Sequence, residues 1–151
     1  MSAAPNADLA IRPLSPGDRG EWGLLARGYK AFYRAEVTPA EYDHAWRRLI
    51  GEEGVFGLAA RMEGRLVGIA HYLFHTSVWV PKVCHLQDLF VLPEARGRGV
   101  ARALIEAVAR VAREAQAERC YWLTQEDNKV ARALYDKVAK FNGFLRYDFV
   151  L

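Results

Sequence analysis

The residues with most chemical content lie in Leu86-Gln-Asp-Leu-Phe-Val-Leu-Pro-Glu-Ala-Arg-Gly-Arg-Gly-Val-Ala-Arg-Ala-Leu104. A β-prone run ends at Pro93, and two glycines, Gly97 and Gly99, open onto a helix-periodic stretch. Glycines let a loop turn its N–H groups inward, and a helix start adds unpaired N–H groups with a partial positive charge. Together they make a seat for a phosphate or pyrophosphate. Arg96 and Arg98 add charge-assisted donors at the same place. Neither GxxxxGK[ST] nor a complete GxGxxG is present, so neither a P-loop nor a dinucleotide fingerprint accounts for the segment. The competing interpretation is a plain strand-to-helix turn with solvated arginines.

The elements that must position this loop follow from hydrophobic period. Asp8–Leu14 alternates and predicts a short strand. Ser15-Pro-Gly-Asp18 is a turn, with Asp18 placed to cap the helix suggested by Trp22, Leu25, Ala26, Tyr29 and Phe32. Thr38-Pro39-Ala40-Glu41 has capping-box spacing and opens a second helix running to Ile50. Val55–Met62 and Arg65–His75 flank Glu63-Gly64 as a hairpin, and Lys82–Leu92 is a further strand. Val100, Leu104, Ala107, Val108, Val111 and Ala115 form the apolar stripe of a long helix. A short strand at 119–124, a helix at 128–140 with Ala131, Leu134, Tyr135 and Val138 inward, and a last strand at Phe144–Leu151 complete the order. The pattern predicts one mixed α/β (α+β) domain over residues 7–151, behind a loose tail at 1–6.

Two motifs carry a resemblance to a family. Arg96-Gly97-Arg98-Gly99-Val100-Ala101 fits the Q/R-x-x-G-x-G/A pattern of the GCN5-related N-acetyltransferases (GNAT), after a strand and at a helix start as in that family. Asn128-Lys-Val-Ala-Arg-Ala-Leu-Tyr135, followed by Asn142-Gly143-Phe144, resembles their second signature about thirty residues on. The element order matches along nearly the whole chain. Around Leu86–Val91 the sequence most resembles the spermidine/spermine and thialysine acetyltransferase branch.

The resemblance implies a central, twisted mixed sheet of about six to seven strands with about four helices. In it two parallel strands splay to hold acetyl-CoA as cosubstrate. It implies that main-chain groups of Leu89, Phe90 and Val91 pair with the pantetheine arm, and that the pyrophosphate sits on the N–H groups of Gly97, Arg98, Gly99, Val100, Ala101 and Arg102. Asn128 and Lys137 match further cofactor positions, and Tyr135 matches the tyrosine that protonates the departing thiolate. An alkyl ammonium with pKa about 10.4 must lose a proton before it attacks. Relatives with Glu-Asp use the glutamate for this, but here the pair is Gln87-Asp88. A glutamine cannot accept that proton. The open choices are a water ordered by Gln87, with Asp88, His85 or bulk solvent taking the proton. On a regular strand His85 and Gln87 share a face, and Asp88 joins neither unless a bulge re-aims it.

The function implied is N-acetylation of a primary amine on a small molecule: a diamine or polyamine, an amino acid or a lysine analogue. Direct transfer would occur in a ternary complex. A protein or histone-tail lysine acetyltransferase and a non-catalytic acyl-CoA sensor are the alternatives. Glu36, Glu41 and Asp43, near Tyr33, Tyr42 and Trp46, are candidates to hold a cationic acceptor, as is Trp79. Homodimers are expected by family analogy.

Composition narrows the remaining classes. The chain has 151 residues, 52% hydrophobic and 26% charged, which fits a packed core rather than a disordered chain. Its formal charge of +3 is dispersed among acids, and no nucleic-acid partner is expected. No signal peptide or membrane-spanning run is apparent, and Cys84 and Cys120 form no CxxC. A cytoplasmic location with no membrane partner is therefore expected. On one strand His71 and His75 would lie about 13 Å apart, so no metal is expected.

Overall fold

The computed structural model describes residues 8–151; the tail expected at 1–6 lies outside them. The elements are β1 (Leu9–Pro13), α1 (Arg19–Phe32), α2 (Pro39–Ile50), β2 (Val55–Met62), β3 (Arg65–His75), β4 (Val83–Val91), α3 (Val100–Glu114), β5 (Cys120–Tyr121) and α4 (Lys129–Val138). The sheet order is β1-β2-β3-β4-β5, antiparallel through β4 and parallel between β4 and β5.

Local chemistry accounts for the boundaries. Glu63 and Gly64, both at positive φ, turn β2 into β3 with Met62 opposite Arg65, the two-residue geometry that suits strand twist. Thr38 and Glu41 form the expected reciprocal box: the Thr38 N–H donates to Glu41 Oε2 at 2.6 Å, and the Glu41 N–H to Thr38 Oγ1 at 3.2 Å. Asp18 does not cap α1. Its carboxylate turns back to accept the N–H and hydroxyl of Ser15 and also pairs with Arg61 of β2.

Each face of the sheet has its own core. On one face α3 buries Val100, Leu104, Ile105, Ala107, Val108 and Ala112 against Ala60, Val67, Ala70 and Leu86. The expected stripe is thus wider, with Val111 only half-buried at its edge. On the other face α1 and α2 bring Trp22, Leu25, Ala26 and Trp46 onto Ala59, Leu66, Ile69 and Phe90. Gly68 lets α3 approach closely: a Cβ there would lie 2.9 Å from Val100 and 3.0 Å from Leu104. Burying one such Leu completely contributes roughly 1.5–3 kcal/mol.

The sheet has five strands rather than six or seven. The expected last strand, Phe144–Leu151, joins no ladder. Phe144, Leu145, Tyr147, Phe149, Val150 and Leu151 are all at least 69% exposed. Alternation alone gives a strand only when an edge is at hand to pair with. Among the described residues no helix is long and apolar enough to cross a membrane.

Candidate active site

The site begins with a pairing failure between β4 and β5. Cys84 faces Cys120 and His85 faces Tyr121, and there the parallel ladder stops. Beyond it β4 continues to Val91 alongside β3, and among the described residues no strand pairs with the other side of Leu89, Phe90 and Val91. The two cysteines, distant in sequence, are neighbours at the root of this split and are both free. The Cys120 sulfur and burial push the Cys84 thiol's pKa up.

A narrow cleft opens where the strands part, with a space of about 300 Å³ including its mouth. Tyr29, Tyr33, Gln87, Leu89, Trp122 and Tyr135 are among its lining residues. Tyr135, on α4, packs edge-on against Trp122 with ring centroids 5.4 Å apart. Burial first, then Tyr33, pushes its pKa up to about 12, so the phenol keeps its proton throughout neutral pH.

The β4 register explains Gln87 and Asp88. His71 pairs with Asp88 and Tyr72 with Leu86, leaving Gln87 as the extra residue of a bulge. The bulge reverses the alternation: Cys84 and Leu86 face the α3 core, whereas Phe90 faces the α1 core. Asp88 accordingly meets His71 on the α1 side, with His71 Nδ1 2.8 Å from Asp88 Oδ2. Trp22 Nε1–H donates to His71 Nε2 at 2.9 Å. Burial raises the Asp88 pKa, but hydrogen bonds from His71 and Tyr29 and the charge of Lys30 outweigh it and hold the group below its ordinary value. Burial, then the Asp88 charge, drives the Tyr29 phenol far up. His85 lies flat on Tyr121 at 4.7 Å, and burial, then His75, lowers its pKa.

At the open end of β4, Gly97 (φ +75°) and Gly99 (φ +80°) take left-handed backbone, and Gly99 is the N-cap of α3. A side chain at either would be strained, so this loop shape needs glycine. Arg96 stacks over Phe90 and donates Nε–H to the Val91 carbonyl at 3.2 Å, whereas among the described residues Arg98 forms no ion pair. Arg102 pairs with Glu106. Asn128 precedes α4 with its side chain donating to Thr124 rather than capping the helix, and Lys137 is exposed at the far end.

The acceptor candidates are placed elsewhere. Glu41 is engaged by Thr38, Asp43 pairs with Arg19 at 2.7 Å, Glu36 lies in the exposed α1–α2 connection, and Trp79 is 89% exposed. None of the four lines the cleft. The sequence reading passed over Tyr29, Trp22, His71 and Trp122. Tyr29 and Trp22 had a signal only as members of an apolar helix stripe, and His71 had none without the β3–β4 register.

Comparison with known proteins joins these features. A model of the acetyltransferase (GNAT) family matches residues 22–141. The chain belongs to the GNAT family. This GNAT chain is 33% identical over 138 residues to the D-amino-acid N-acetyltransferase HPA3 of Saccharomyces cerevisiae, covering 89% of the chain and 86% of that protein. It is 33% identical over 96 residues to a thialysine N-epsilon-acetyltransferase of Caenorhabditis elegans, covering 64% of the chain and 60% of that protein. The fold superposes on a solved aminoglycoside N-acetyltransferase, AAC(6')-Iy in complex with CoA. The TM-score is 0.78 at 19% identity, over 99% of this chain and 96% of that one. The GNAT chain is thus an N-acetyltransferase by family, of mixed α/β fold, near the thialysine branch.

Proposed function

We propose that this enzyme transfers the acetyl group of acetyl-CoA to a primary amine of a small molecule, of the diamine, polyamine, amino-acid or lysine-analogue class. The observation that carries the reading is the open β4 edge running straight into the Gly97–Gly99 turn and the α3 N-terminus. An extended amide arm can pair with the main chain of Leu89, Phe90 and Val91, as an added strand would. Its diphosphate then reaches the N–H groups of residues 97–102 and the unpaired Arg98. Asn128 and Lys137 flank the same arm by analogy with the family.

The chemistry follows from the groups in the cleft. Water ordered by the bulge residue Gln87 relays a proton from the ammonium to bulk solvent, the free amine attacks the thioester carbonyl, and the adduct's nitrogen loses its second proton to solvent. As the tetrahedral adduct collapses, the carbon–sulfur bond breaks and Tyr135 protonates the departing thiolate, recovering its proton from solvent. Asp88 is a weak proton acceptor in this setting, because its environment favours the ionised form. Its contribution is negative charge.

The reading extends to one domain over 7–151, a cytoplasmic location and a homodimer. The six exposed apolar side chains of the C-terminal segment support a second copy as partner, because single chains rarely leave so dense an apolar run uncovered. Sedimentation would test this.

Thiol release from acetyl-CoA across a panel of free amines and lysine peptides tests the activity. Release with free amines, lost in Gly99→Val and lowered about tenfold or more in Tyr135→Phe with CoA affinity kept, is expected. Peptide turnover alone would favour protein acetylation, and tight CoA binding with no turnover would favour a sensor.

A further inference from the structure

Beside the cleft stands a hydrogen-bonded chain that the transfer chemistry above leaves unused. It runs from Trp22, 1% exposed in the α1 core, through His71 to Asp88, and Tyr29, on the cleft wall, lies near the same carboxylate. An indole N–H can only donate. His71 Nε2, 2.9 Å from it, therefore holds its lone pair, and Nδ1 carries the proton that goes to Asp88. The buried end thus fixes the direction of the whole chain. Asp88, as a carboxylate, only accepts, so the Tyr29 hydroxyl also turns its proton inward. The Tyr29 oxygen, on the wall of the cleft, is left as an acceptor for whatever enters.

A histidine on an aspartate resembles the base and orienting acid of acyl-transfer enzymes. This pair cannot work that way, because the nitrogen that would take the proton is occupied by the Trp22 N–H. It is built to hold charge in place.

We propose that Tyr29, Asp88, His71 and Trp22 form the binding site for the acceptor's cationic nitrogen. Resting on the acetyl-transfer reading, the assignment gives each residue one task. Tyr29 makes the contact, Asp88 supplies the charge one layer behind it, and His71, fixed by Trp22, is a positioning residue for Asp88. The ligand class is a primary ammonium: its N–H groups match a phenol oxygen, and its charge matches the carboxylate. A neutral or anionic acceptor meets neither. The other titratable groups around Asp88 are Lys30 and Tyr33 on α1 and His85 on β4. Lys30 leans over the face of Tyr29 at 5.8 Å, leaving the carboxylate without a contacting cation of its own.

The sign of the pH effect separates positioning from mere packing. In the native protein the His71 hydrogen bond and its companions keep Asp88 ionised against burial. Without the His71 N–H, burial acts with less opposition, the Asp88 pKa rises, and the acid limb of amine binding moves to higher pH.

The test measures kcat and both KM values by thiol release with a simple aliphatic diamine and saturating acetyl-CoA, over about pH 5–9. We expect His71→Ala and Tyr29→Phe to raise the amine KM on the order of tenfold, with kcat and the acetyl-CoA KM nearly unchanged. His71→Ala should also shift the acid limb upward. His71→Gln, whose amide can donate to Asp88 and accept from Trp22, should recover most of the amine KM. Trp22→Phe removes the N–H that fixes the His71 ring, so it should raise the amine KM, less than His71→Ala does, with kcat and the acetyl-CoA KM nearly unchanged.

An unchanged amine KM in His71→Ala would overturn the assignment. So would a loss spread equally over kcat and both KM values with no recovery in His71→Gln, or an unchanged amine KM in Trp22→Phe. If the native enzyme releases no thiol with any amine, the acetyl-transfer reading fails first and the ammonium site falls with it.

Discussion

Two carboxylates, Asp18 and Asp88, each link the α1 region to the sheet, and both are held below their ordinary pKa, yet their surroundings differ in kind. For Asp18, burial is outweighed by the Ser15 N–H, its hydroxyl and the Arg61 guanidinium. Arg61 also holds Glu21 at 3.0 Å, and Glu21 accepts the Leu66 N–H at 2.9 Å with its other oxygen. In that cluster both carboxylates lie directly on the one guanidinium. A groove of about 800 Å³ including its mouth runs beside it, larger than the cleft, but the Asp18 and Arg61 groups along it are already paired. Asp88 has an imidazole and a phenol for partners and no guanidinium, so its charge is hydrogen-bonded but not neutralised. The first arrangement joins elements; the second leaves attraction for a cation beside an opening. A depressed pKa by itself does not tell them apart. The identity of the partner does.

The contrast can be broken in order of effect. Asp88→Asn should lower kcat/KM for the amine on the order of a hundredfold, since the charge itself goes, while acetyl-CoA binding stays near the native value. Steady-state titrations of each substrate check this, and an equal loss for both would erase the distinction. Arg61→Met should cost about 2–3 kcal/mol of stability, below the range for a fully buried pair because Arg61 is 30% exposed. Its turnover per folded molecule should be unchanged, as denaturant melts alongside assays would report.

A smaller effect concerns pH. Asp18 and Glu21 have folded pKa values below their ordinary 3.8 and 4.5. Their contribution is therefore fully present above those values and lost as the pH falls through the lowered ones. In Arg61→Met the acid limb of the unfolding midpoint should move upward, toward the ordinary carboxylate range. The smallest change is expected from Glu94→Gln, which removes the exposed pair with Arg65 and should shift stability by less than about 0.5 kcal/mol.

The legible part of this molecule is what neighbours along the chain decide. Capping residues at Thr38 and Glu41, the Glu63-Gly64 turn, the α3 stripe and the two left-handed glycines all act within a few residues, so spacing reveals them. The glycine turn proposed to seat the cofactor was legible for the same reason. Phe144–Leu151 shows the limit of that logic: its alternation is strand-like, but a strand also needs a partner edge, which no local pattern supplies.

The proposed acceptor side was illegible because it depends on register. One extra residue, Gln87, turns Asp88 from the α3 core to the α1 face, and that rotation brings it to His71, 17 positions away, and to Tyr29. From sequence Tyr29 and Trp22 are ordinary members of a helix stripe and His71 a lone strand histidine. The sequence by itself determined the elements, the glycine turn and the family likeness, since those rest on local backbone preferences and short-range spacing. Only the tertiary structure decided which face Asp88 looks toward and what meets it there, because strand pairing has a period of two and a single bulge inverts it.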